Sequence, residues 1–225
     1  MTAHRRIVVA IDGPSGAGKS TVARAVARRL GFLFLDTGAM YRAVALAFLR
    51  RSVGIDEESS RRLLAGLRLR FSEDGERMFL RLDQGPEDDV TAAIRTPEVT
   101  AVVSQVSALA SVREKLTTEQ RAIAAGRSVV AEGRDTTTVV FPDADRKFFL
   151  TAMLEERARR RKAERPELAG VPIEEIAAGM KVRDERDRTR AIAPLAEAKD
   201  AIVFDTTGLA LEEVVERIAA QAGAS

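Results

Sequence analysis

The sequence predicts an α/β fold on a mainly parallel five-stranded sheet, and three observations carry that expectation. Short, nearly continuous apolar runs recur along the 225-residue chain. Each run ends in polar or glycine residues, as buried parallel strands do. Amphipathic helical stretches separate the runs, the alternation of an α/β architecture.

The first run, Ile7–Ile11, meets Asp12 and a Gly-Pro-Ser cluster, and so reads as a strand followed by a turn. From Ser20 to Leu30, Val22, Val26 and Leu30 recur at helical spacing, with Arg24, Arg28 and Arg29 between them and Gly31 as the closing residue. Phe32–Leu35 is a second strand ending at Asp36, and the remaining three are Ser128–Ala131, Lys147–Leu150 and Ala201–Phe204. One stretch departs from this rhythm. Leu67–Phe71 alternates apolar and basic residues, Met78–Leu82 does so less cleanly, and Asp74-Gly75 lies between them. That pattern predicts a β-hairpin with one exposed face, inserted into the core. Val99–Ala125 reads as helical in one or two pieces. Charge then concentrates at Arg157–Lys162 and at Arg183–Arg190.

Composition narrows the chemistry. The length suits one domain with a small insertion, and 45% hydrophobic residues can build a core without staples. There is no cysteine, so neither disulfides nor thiolate chemistry is available. The single histidine, His4, sits near the start of the chain, which argues against His-based triads and multi-His metal sites. The net charge of +2 is no basic field. The longest apolar run, Ala43–Leu49, is too short to span a bilayer, and no signal segment is evident. A cytoplasmic protein without membrane contact is expected.

The strongest local signal is Gly13-Pro14-Ser15-Gly16-Ala17-Gly18-Lys19-Ser20, a full match to G-x-x-x-x-G-K-[ST] between a strand and a helix. Glycines let backbone N–H groups converge on phosphate oxygens, and the helix that follows points its positive end at them. Lys19 is placed to reach the β- and γ-phosphates of a nucleotide, and Ser20 to face Mg²⁺.

Three uses of a triphosphate then compete: a GTPase switch, an ATPase or binding module, and a small-molecule kinase. Guanine-reading GTPases carry an N-K-x-D element, and this chain contains no asparagine. Asp205-Thr206-Thr207-Gly208 matches a D-x-x-G string but follows the last strand, the wrong place for a switch. A kinase needs a second anion site. Asp36–Arg42 follows the second strand, Glu132–Asp135 follows the third, and Arg183–Arg190 lies beyond the fourth. Polar clusters at strand ends are where open α/β sheets bind ligands, and arginines suit a phosphate acceptor. Singly, each arginine reads as a solvated surface charge. A phosphate acceptor needs no histidine base, being nucleophilic at neutral pH.

Taken together, IDGPSGAGKST (Ile11–Thr21), LDTGAMYR (Leu35–Arg42), IRTPEV (Ile94–Val99), SQVS (Ser104–Ser107), VRE (Val112–Glu114), EGRDTTTVVFPDA (Glu132–Ala144) and RDERDRTRAIAPL (Arg183–Leu195) resemble the bacterial cytidylate kinases over nearly the whole chain. The resemblance implies a P-loop NTPase-type sheet of five parallel strands with helices on both faces. It also implies one kinase domain over 1–225, with a core of 1–65, 104–156 and 187–225, a hairpin-bearing acceptor insert about 66–103, and a helical lid about 157–186. ATP would phosphorylate CMP and dCMP, with Mg²⁺ as cofactor. Gly13, Pro14, Ser15, Gly16, Ala17, Gly18, Lys19, Ser20 and Thr21 would hold ATP, and Arg157 and Arg161 would reach it from the lid. Thr37, Tyr41, Arg42, Arg134 and Arg190 would line the acceptor phosphate, with Lys19, Arg134 and Arg190 as the catalytic residues. Ser104, Arg113 and Asp135 would read cytosine, and Arg183 and Asp187 the ribose. Ser20 would ligate Mg²⁺, and Glu132 would hold a metal-bound water.

Asp135 has a second reading, as a carboxylate paired only with arginine. The family usually has an apolar residue and then glycine after G-R-D, where this chain has Thr136 and Thr137. Glu155, Glu156 and Glu164 flank the arginines of 157–162, and aromatics are scarce at 4%, which argues against a nucleic-acid partner. A monomer acting on small molecules is expected. The alternatives are a kinase for another pyrimidine monophosphate such as UMP, and a P-loop ATPase or binding module without an acceptor.

Overall fold

A computed structural model of the chain describes residues 6–223; His4 lies outside them. In chain order the main elements are β1 (Val8–Asp12), α1 (Lys19–Leu30), β2 (Leu33–Asp36), α2 (Thr37–Arg51), α3 (Glu57–Gly66), β3 (Leu67–Phe71), β4 (Met78–Leu82) and β5 (Asp88–Asp89). There follow α4 (Pro97–Val106), α5 (Ala110–Ala125), β6 (Val129–Glu132), β7 (Arg146–Thr151), α6 (Leu154–Glu164), α7 (Ile173–Thr189), β8 (Ile202–Asp205) and α8 (Leu211–Gly223). Two compact units emerge. One joins the chain up to Phe32 to the chain from Arg127 onward; the other is Leu33–Gly126.

The first unit carries four parallel strands in the order β6-β1-β7-β8. The fifth strand of the parallel set, β2, opens the other unit. Strand β1 is central because Val9, Ala10 and Ile11 are wholly apolar and fully buried. Burying an isoleucine side chain contributes roughly 1.5–3 kcal/mol. Val9 stands level with Val130 on one side and Arg146 on the other. Helix α1 packs on β6 and α8, burying Val22 and Val26 as their spacing requires, and Gly31 ends it in the left-handed conformation. Helices α6 and α7 pack on each other around a small core of Ala158, Ile176, Ala177 and Met180.

The second unit holds the predicted hairpin. Strands β3 and β4 pair antiparallel, Leu69 level with Leu80, and the two-residue β5 adds a third strand. Gly75 takes a positive φ of 78° in the turn, and Asp74 accepts there from Ser72 Oγ and the Glu76 N–H. The helical stretch breaks into α4 and α5, with Pro97 at the first position of α4.

Candidate active site

The phosphate loop lies between β1 and α1, in the strand–loop–helix setting that its motif requires. Gly13 has φ 148°, and a Cβ there would stand 1.9 Å from the Leu150 carbonyl oxygen. Only glycine lets the loop leave β1 this close to β7. Gly16 has φ 75°, and its Cβ would meet the Met180 methyl at 2.7 Å and the Arg157 carbonyl at 2.9 Å. The loop is thus tightly covered by α6 and α7. Helix α1 begins at Lys19 with no acidic residue in its first turn, so its N-terminal N–H groups stay directed at the loop.

Lys19 is 5% exposed and donates from Nζ to the Pro14 carbonyl at 2.9 Å. Its pKa is pushed down to about 7. Burial is the largest cause and the Arg134 charge adds to it, while Glu132 and Asp12 act the other way. An anionic ligand here would restore the full ammonium charge. The Ser20 hydroxyl donates to Oε1 of the buried Glu132, at the end of β6, at 2.7 Å. These are two hard oxygen donors side by side. No group of three acidic, His or Cys residues suited to a metal occurs among the described residues. A pair of this kind suits Mg²⁺ that arrives with phosphates of its own rather than an all-protein cage.

The loop is gripped from α6 and α7. The Ser15 N–H donates to Asp184 Oδ1 at 3.1 Å, and its carbonyl accepts from Arg157 Nη1 at 2.9 Å. Arg157 Nη1 also donates to Asp184 Oδ2 at 2.5 Å, and its Nε to the Ala152 carbonyl at 3.0 Å. Arg157 is 8% exposed, so these donors buttress the loop. Arg161 donates to Ser15 Oγ at 3.2 Å; burial pulls its pKa down, and the charge of Arg165 adds to that. Neighbouring Arg160 spans from Glu156 to Thr206, reaching both Oγ1 and the carbonyl of Thr206.

Past β6, Arg134 Nε donates to Asp187 Oδ2 at 2.9 Å, and Arg190 Nη2 to Asp135 Oδ1 at 3.2 Å. Asp135 is therefore buried and arginine-paired. Arg183 lies on α7, and its charge is felt at Lys19. Thr21 sits on α1, one residue past Ser20.

The remaining sequence-predicted residues belong to the second unit. Asp36 caps α2, accepting from the Ala39 N–H at 2.8 Å, with Arg95 3.5 Å away. Helix α2 presents Thr37 and Tyr41, one turn apart and both buried, and then Arg42, which donates to Thr100 Oγ1 at 3.1 Å. The Arg113 guanidinium stands 5.4 Å from the Tyr41 ring centroid and donates to the Ser107 carbonyl at 2.9 Å. Ser107 Oγ in turn donates to the Ser104 carbonyl.

Three residues of this centre escaped the sequence reading: Asp12, Asp184 and Arg160. Asp12 was visible only as the residue that ends the first strand. Asp184 falls in an alternating acid–base run with nothing to single it out.

A family model described as cytidylate kinase matches residues 9–224. A cytidylate kinase from Carboxydothermus hydrogenoformans is 50% identical over 216 residues, covering 93% of this chain and 94% of that protein. One from Solibacter usitatus is 48% identical over 226 residues, covering 96% and 92%. An uncharacterized protein from Eubacterium ventriosum, solved by crystallography, superposes over 98% of this chain and 100% of its own, with a TM-score of 0.55 at 12% identity. At that identity the likeness speaks for the fold alone.

Proposed function

Because the chain belongs to the cytidylate kinase family, we propose that it transfers the γ-phosphoryl group of ATP to CMP and dCMP, releasing ADP and CDP or dCDP. The observation that carries this reading is the buried Lys19 at the head of α1, with the Ser20–Glu132 pair beside it and the charges of Arg134 and Arg183 within its reach. Phosphoryl transfer asks the protein for positioning and charge stabilisation rather than covalent chemistry. That is what this set of groups supplies.

A phosphate oxygen of CMP attacks the γ-phosphorus, and the bond to the β–γ bridging oxygen breaks, leaving ADP. No side chain need act as base, because the acceptor phosphate is already ionised at neutral pH. Lys19 and the N–H groups of Gly16–Ser20 hold the β- and γ-phosphates. Arg161 adds charge from α6, and Arg157 supports the loop through Ser15. Arg134 and Arg190, with Thr37, Tyr41 and Arg42, take the acceptor phosphate. Asp135, Ser104 and Arg113 read the base, and Arg183 and Asp187 the ribose. Magnesium would be held by Ser20, with Glu132 behind it, and when bound draws charge from the phosphates.

The other readings, a UMP kinase or an ATPase without acceptor, find no support in the names of the relatives. No helix among the described residues is long and apolar enough to cross a membrane. We place the enzyme in the cytoplasm as a monomer with nucleotide substrates and no nucleic-acid partner. A coupled assay of ADP formation with ATP and each nucleoside monophosphate in turn tests the reading. CMP and dCMP are expected to drive turnover well above UMP, AMP and GMP; equal rates with all five, or none, contradict it.

A further inference from the structure

Asp12 is the last residue of β1 and sits immediately before the phosphate loop, fully buried. Its carboxylate takes three hydrogen bonds from one short segment. Oδ1 accepts from the Thr136 N–H at 2.9 Å, and Oδ2 accepts from the Thr137 N–H at 2.7 Å and the Thr137 hydroxyl at 2.6 Å. Burial pushes the Asp12 carboxyl up, and these bonds pull it back toward the ionised form.

The same segment is tied to β1 a second time, by the Gly133 N–H donating to the Ile11 carbonyl at 3.0 Å. Between the two ties stand Arg134 and Asp135. Beyond them the chain makes a wide π-helical turn over Thr136–Val140, closed by the Val140 N–H on the Asp135 carbonyl and the Phe141 N–H on that of Thr136. A run of three threonines and two valines has poor helical propensity. The turn is therefore held from outside, by Asp12. Two of its three donors are backbone groups that any residue except proline supplies. The third exists only because residue 137 carries a hydroxyl.

We infer that the Thr137 hydroxyl is a positioning element for phosphoryl transfer: through Asp12 it fixes the segment bearing Arg134 and Asp135 to the strand that delivers the phosphate loop. The inference rests on the kinase reading above and assigns a role to a residue which that reading leaves unused. The kinase reading gives Thr137 no substrate contact; it acts through Asp12. Losing it leaves a buried carboxylate one donor short and lets Arg134 drift from the loop, and displacements of about 1 Å cost transfer steeply.

The test compares Thr137→Val, which keeps the branched shape without the hydroxyl, with Thr137→Ser, which keeps the hydroxyl. With full-length protein, Thr137→Val is expected to lower kcat for CMP about tenfold and raise KM for CMP, with KM for ATP within about twofold of wild type. Thr137→Ser is expected to stay within about threefold of wild type in kcat. Should Thr137→Val not fold, Thr137→Gly removes the hydroxyl without adding atoms and serves in its place. A variant that loses only Tm, with kcat intact, overturns the inference, and so does a Thr137→Ser as impaired as Thr137→Val. A wild-type protein that forms no CDP refutes the kinase reading instead, so the two failures are distinct.

Discussion

The Ser20 hydroxyl at the start of α1 and the Glu132 carboxylate at the end of β6 are joined by a 2.7 Å hydrogen bond, although 112 residues separate them in sequence. The pair holds a hydroxyl and a buried carboxylate together beside Lys19, a set of donors that suits a hard cation. Glu132→Gln keeps the shape and removes the charge. It is expected to raise the Mg²⁺ concentration for half-maximal turnover by about ten- to a hundredfold, the usual penalty for losing a group that orients a metal ligand. A magnesium titration at saturating ATP and CMP checks this; an unchanged midpoint separates Glu132 from the metal.

Lys19 gives the fold a pH dependence with a defined sign. In the folded protein its pKa lies at about 7, against 10.5 for an ordinary lysine. Below about 7 it is charged in both states and the burial cost is felt in full. Between the two values the unfolded chain holds a proton that the folded one lacks, so this contribution makes stability rise with pH. Lys19→Met removes the linkage. Thermal melts without nucleotide are expected to show wild-type Tm climbing relative to Lys19→Met from pH 7 to 10. Parallel profiles contradict the buried, depressed lysine. The same variant is expected to lose roughly a hundredfold or more in transfer rate while remaining folded.

Much of the architecture was written locally. All five strands of the parallel set appear within a residue or two of their apolar runs, because buried strands carry that signature directly; β8, which buries only Phe204, keeps it too. The hairpin was legible from alternation and Asp74-Gly75. The two-residue β5 was not, since Asp88 and Asp89 carry no apolar pattern and are paired only through their backbone with Leu80 and Phe79. Thr136–Val140 is rich in strand formers yet winds into a helical turn, because a carboxylate 124 residues earlier takes its N–H groups. The grip of Asp184 on Ser15 spans 169 residues. Motif spacing names the loop, but contacts of that range have no periodicity to reveal them.

That grip is itself testable. Asp184 and Arg157 form a pair with side chains each 10% exposed, and breaking such a pair from one side strands a buried charge, at about 3–5 kcal/mol. Asp184→Ala and Arg157→Ala are each expected to lower stability on that order in urea unfolding. The double variant is expected to lose clearly less than the sum, because the pair shares one interaction. Additive losses contradict a coupled clamp on the loop.

Asp135 discriminates between its two readings through substrate choice. If it accepts from the cytosine amino group, uracil sets a carbonyl against a carboxylate, at roughly 1–3 kcal/mol. CMP is then expected to exceed UMP by about ten- to a hundredfold in kcat/KM, and Asp135→Ala to compress that ratio. A variant that depresses both substrates equally leaves Asp135 only as the partner of Arg190.

The central claim is that the phosphate loop serves transfer to an acceptor and not hydrolysis. Incubating the protein with Mg²⁺, ATP labelled in the γ-phosphate, and CMP follows that group directly. The label is expected to appear in the β-phosphate of CDP, one equivalent for each ADP formed, with little inorganic phosphate and little turnover when CMP is withheld. Label released as inorganic phosphate at a rate indifferent to CMP would contradict the account.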